Sequence, residues 1–78
     1  MAVEEYEHRI TADPAIHHGR PVIEGTRVPV EVILGSLTGG MDIEAICAEY
    51  DIEQADVYAA IAYARDSIAG EEVRSLSV

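Results

Sequence analysis

The stretch Gly19-Arg20-Pro21-Val22-Ile23-Glu24-Gly25-Thr26-Arg27-Val28-Pro29-Val30 constrains the fold more than any other part of this chain. Its glycines open backbone angles closed to other residues, and its prolines fix their own. The apolar pair Val22-Ile23 between them has room for one short strand before Gly25 breaks it. Pro29 then opens a helical pattern, because a missing N–H costs nothing in a first turn. On residue types alone the stretch reads as a turn-rich connector between a β segment and helices.

The chain on either side agrees with that order. Tyr6 to Thr11 has edge-strand composition, Ala12-Asp13-Pro14 is a turn, and Pro21 to Glu24 supplies a second strand. Strands this short are marginal alone, so they are expected to lie on the helices or to pair with another copy of the chain. A first helix is predicted from Pro29 to Gly39, with Val30, Ile33, Leu34 and Leu37 at i, i+3, i+4 and i+7 and Gly39 as a left-handed cap. Asp42 caps a second helix, Met41 staples it onto Ile46, and Ile43, Ile46, Cys47 and Tyr50 repeat the spacing. Asp51-Ile52-Glu53 connects to a third helix over about Gln54 to Ile68, closed by Gly70, with Val57, Ile61, Ala64 and Ile68 as its expected inner face. Two helices so joined, with Ile46, Tyr50, Ile52, Val57 and Ala60 spaced to share a core, match a helix-turn-helix. Asp51 stands where glycine is common in such a turn, and Glu53 where Ser or Thr is the usual cap.

The expected fold is therefore α+β and mostly α. A β segment over about 6–28 precedes a three-helix, homeodomain-like bundle over about 29–69 and a short tail over 70–78, all in one domain. The chain has 78 residues, no Phe or Trp and four Tyr, so its core is aliphatic and thin, and a homodimer is the expected way to bury more surface. The single Cys47 has no internal disulfide partner, and no signal peptide or membrane-length apolar run is present, which suits a cytoplasmic protein.

The pattern carried by Pro21-Val22-Ile23-Glu24-Gly25-Thr26-Arg27-Val28-Pro29-Val30, with Asp13-Pro14, Gly39-Gly40-Met41, Glu49-Tyr50 and Ala59-Ala60-Ile61-Ala62-Tyr63-Ala64, resembles the domain-of-unknown-function family four-thirty-three. The resemblance covers roughly Arg9 to Ile68. It implies similarity to VapB-type antitoxins, small prokaryotic proteins often encoded beside a PIN-like ribonuclease toxin. By that resemblance the chain is an antitoxin of a type II pair, neutralising a PIN-like toxin and repressing its own operon. A stand-alone dimeric helix-turn-helix regulator and a structural adaptor with no nucleic-acid role stand as alternatives.

Charge sorts the candidate residues. Fifteen acids against five arginines give a net charge of -10, and residues 41 to 78 hold nine of those acids against two arginines. Such a field repels phosphate and favours a basic partner. Glu49, Asp51, Glu53 and Asp56, clustered at the second turn, are the expected partner-binding residues. On the recognition helix Gln54 has the chemistry to bond an adenine edge, with Tyr58 beside it, but no cation is near. Arg20 and Arg27, with Arg9, are the expected phosphate contacts if operator DNA is bound. His17-His18, with Asp13 or Glu24, lack a metal-ligand spacing, so no metal or cofactor is expected. Ser36 and Ser67 lie in no nucleophile motif and the carboxylates form no acid–base pair, so no enzymatic activity is expected.

Overall fold

A computed structural model describes residues 8–13, 15 and 19–70 of the chain. The glycine- and proline-rich stretch forms a tight hairpin. Gly25 takes a φ of 78°, and the Thr26 N–H closes the turn onto the Ile23 carbonyl at 3.0 Å. A positive φ at the third turn position is what a type II turn demands of its glycine. The Thr26 hydroxyl locks the hairpin a second time, donating to the Ile23 carbonyl at 2.8 Å and accepting from the Val28 N–H at 3.0 Å. Ile23 N–H then donates to the Val28 carbonyl at 2.9 Å, and Val22 bridges Pro29.

That hairpin gives β2 (Val22–Ile23) neighbours on both sides. On its other edge lies β1 (Ile10–Thr11), antiparallel, with Ile10 opposite Ile23 and Thr11 opposite Val22. Of the strand expected over Tyr6 to Thr11, Tyr6 and Glu7 lie outside the described residues, and His8 and Arg9 form a turn, so the strand is shorter than expected and holds Ile10–Thr11 alone. Both β2 side chains are buried, so the strands act as a cover on the helices.

Three helices follow: α1 (Val30–Thr38), α2 (Ile43–Tyr50) and α3 (Gln54–Ala69). The order of a two-stranded antiparallel sheet and then helices is the α+β, mostly helical architecture expected. Ile23, Val30, Ile33, Ile46, Val57 and Ala60 form the buried cluster, and Met41, Tyr50 and Ile52 pack against it. Each helix contributes one or two of these residues, so none buries a face without the others.

The helix ends show local chemistry at work. The Asp42 carboxylate accepts from the Ala45 N–H at 2.8 Å, capping α2 as expected. The end of α1 corrects the sequence reading, because Gly39 stays right-handed at a φ of -82° while Gly40 takes 102°. Met41 N–H reaches the Ser36 carbonyl at 3.0 Å and Gly40 N–H the Leu37 carbonyl at 3.1 Å, a Schellman motif that places the positive φ one residue later. Asp51 does the same for α2. It sits left-handed at a φ of 56° while Ile52 N–H bonds the Cys47 carbonyl at 3.1 Å. Gly70 is right-handed, so it closes α3 without the left-handed turn of the other two ends.

The face of α3 is the main correction. Val57 is fully buried and Ala64 half-buried, as expected, but Ile61 and Ile68 are exposed, and Asp56, Ala59, Ala60 and Ala62 are buried instead. The small side chains admit α1 and α2 close to the α3 backbone, and the bulk of the core comes from Ile23, Ile33 and Ile46.

Candidate functional site

Asp51 turns the chain between α2 and α3, and that turn gathers the acidic residues into one place. Glu49 lies in the last turn of α2, Asp51 in the left-handed position, and Glu53 immediately before α3; all are exposed. The Glu53 side chain is 77% exposed.

Asp56 departs from this group. It is only 8% exposed and its two oxygens are spoken for. Arg9 Nη1 donates to Oδ1 at 3.1 Å, and the Glu53 backbone N–H donates to Oδ2 at 3.0 Å. The second bond is the reach-back half of a capping box, which explains how α3 starts without a Ser or Thr before it. The first ties the chain just before β1 to the start of α3 across 47 positions of sequence. Arg9 also lies 3.7 Å from a Glu53 carboxylate oxygen. Asp56 therefore belongs to the scaffold of the turn, while Glu49, Asp51 and Glu53 face solvent. Among the described residues no cation pairs with Glu49 or Asp51.

The residues expected to meet phosphate are placed differently from one another. Arg20 pairs with Glu31 at 3.3 Å on the surface. Arg27 is exposed beside the locked hairpin turn and makes no ion pair among the described residues. Gln54 and Tyr58 are exposed on α3. The outward row of α3 continues through Ile61, Arg65 and Ile68, and its guanidinium is held by Asp66 at 3.2 Å. Hydrophobicity alone sends Ile61 and Ile68 inward; the signal that separates them is the neighbouring row of alanines, which suits a close helix contact better.

Cys47 packs against the core, and burial pushes its thiol pKa up, with Asp56 and Glu44 adding to the shift. Both causes disfavour the thiolate, so the side chain behaves as a small apolar residue. Among the described residues no three His, Cys, Asp or Glu side chains are grouped to hold a metal ion; His17 and His18 lie outside those residues. No described helix is long and apolar enough to cross a membrane.

A family model described as "Protein of unknown function (DUF433)" matches residues 10–64. The match begins at β1 and ends within α3, so it spans the hairpin, the acidic turn and the cluster that holds them together. Neither the curated proteins nor the solved structures contain a significant match.

Proposed function

The chain belongs to the DUF433 family, and on that premise we propose that it is a protein-binding module: an antitoxin that neutralises a basic, PIN-like ribonuclease. The observation that carries this reading is the acidic turn. Glu49, Asp51 and Glu53 are exposed around a single rigid corner, with Arg9 drawn inward to Asp56 and no other cation beside them among the described residues. A nuclease that grips RNA needs a positive surface, and exposed carboxylates close together in the chain compete with phosphate for it. The net charge of -10 strengthens the attraction at long range. The α3 start supports the same reading, since the exposed Glu53 stands where a DNA-reading helix needs cations to neutralise phosphate.

Co-expression with a PIN-like protein encoded beside this chain, once its gene neighbourhood is read, tests the proposal. The wild-type chain restores growth and, purified, inhibits RNA cleavage at stoichiometric ratio. The Glu49→Lys, Asp51→Lys, Glu53→Lys variant loses both while keeping its helical signal. Absence of any PIN-like neighbour, or full inhibition by the reversed variant, overturns the reading.

DNA binding is a second reading, favoured by Arg27 alone as the exposed cation of the hairpin. It runs through Arg20 and Arg27, outside α3. Arg27→Ala then lowers affinity for operator DNA and reduces the slope of log affinity against log salt by about one. Unchanged affinity removes it.

A further inference from the structure

The outward row of α3 has a spacing of its own. Gln54, Tyr58, Ile61, Arg65 and Ile68 follow one another at intervals of four, three, four and three residues, and all five are exposed. Tyr58 is 43% exposed, Ile61 39% and Ile68 67%, in a chain with few large side chains to spend on its core. An average step of three and a half residues is the seam of a helix that packs lengthwise on another helix.

The charge on the row selects the partner. In a parallel pair of α3 helices Arg65, with the Asp66 that holds it, meets the same pair of the second copy in register, and the two arginines gain no attractive contact across the seam. In an antiparallel pair crossing at Ile61 the positions match differently. Ile61 meets Ile61 of the second copy on the two-fold axis, while Tyr58 meets Arg65 and Gln54 meets Ile68, each of these two contacts made twice by the symmetry. Arg65 then lies against the electron-rich face of a Tyr ring, an attractive arrangement for a guanidinium. The antiparallel order also opposes the two helix dipoles favourably. The row is thus self-complementary, as an isologous interface requires.

We propose that α3 is the interface of a homodimer, paired antiparallel with α3 of a second copy through Tyr58, Ile61, Arg65 and Ile68. The pairing needs no second protein, so it stands or falls apart from the antitoxin reading. It leaves Glu49, Asp51 and Glu53 at the two outer ends of the helix pair, free for a partner, and removes Gln54 and Tyr58 from contact with DNA. Two chains of this charge repel, so added salt tightens the dimer while it weakens attraction to a basic partner.

Sedimentation and single-cysteine cross-linking, both on the full chain in a Cys47→Ser background, test it. The chain sediments as a dimer at micromolar concentration, more firmly at high salt. Ile61→Glu raises the dissociation constant on the order of 100-fold or more, since the change enters the seam twice, and leaves a helical, cooperatively melting monomer. Under mild oxidation Ile61→Cys cross-links to itself. Gln54→Cys and Ile68→Cys cross-link only when mixed. A monomer at ~100 µM overturns the proposal. So do self-cross-links at both Gln54→Cys and Ile68→Cys, which mark a parallel pair, and a row that becomes protected only when a basic protein is added. An Ile61→Glu variant that stays dimeric places the interface elsewhere.

Discussion

A single residue with an unusual backbone controls where the acidic turn points. Asp51 holds a φ of 56°, a region that costs an L-residue energy and costs glycine almost none. Asp51→Gly is therefore expected to stabilise the fold by about 0.5–1 kcal/mol in chemical denaturation, an unusual sign for a surface substitution. A loss of stability instead means that the Asp51 carboxylate makes a contact that outweighs its backbone strain. The sequence marked this residue as standing at a glycine position, so the strain was legible before the structure. Cys47 carries a second expectation at this scale. Its raised thiol pKa disfavours the thiolate in the folded chain, so alkylation at pH 8 runs slower than that of an unfolded control. The sign for stability follows: unfolding frees a thiol that ionises more readily, so this contribution is lost as pH rises past the ordinary thiol range. Alkylation as fast as in the control contradicts the burial.

Among the elements, α2 was the most legible, because Asp42 and its following apolar repeat state both where it starts and which way it faces. Asp42→Ala removes the bond to the Ala45 N–H and is expected to cost about 1 kcal/mol. The end of α1 was legible only to within one residue. Gly39 and Gly40 both accept a positive φ, and only the pattern of carbonyl bonds in the last turn decides between them. For α3 the sequence mixed two rows. One, through Val57, Ala60 and Ala64, lies against or beside the core; the other, through Tyr58, Ile61 and Ile68, faces out. Size misled the reading, since a thin core between closely packed helices prefers alanine on one wall. The bond from Arg9 to Asp56 was invisible because nothing in composition or spacing links residues 47 apart. Arg9→Ala leaves a carboxylate buried with half its partners, and is expected to cost about 1–3 kcal/mol, with β1 and the start of α3 loosening together in hydrogen exchange. Exchange confined to β1 contradicts the link.

At the scale of the whole molecule, the order of strands and then helices was written in the glycine and proline pattern, and the family match covers that same stretch. The division of labour within the acidic group was not. Glu49, Asp51, Glu53 and Asp56 look alike in sequence, and only the fold makes the last of them structural by turning it toward Arg9. What remains outside is an acidic corner on a chain of net charge -10, and under the proposed function that field speeds encounter with a positive surface. Long-range attraction acts mainly on association rates and fades as salt shortens its reach.

The most direct test of the proposed function is the association rate between this chain and a PIN-like ribonuclease, measured by stopped flow at low and high salt for the wild type and for the Glu49→Lys, Asp51→Lys, Glu53→Lys variant. The variant is expected to associate about 10-fold or more slowly at low salt, and the two rates to converge as salt rises. Equal rates at low salt, with binding intact, contradict it.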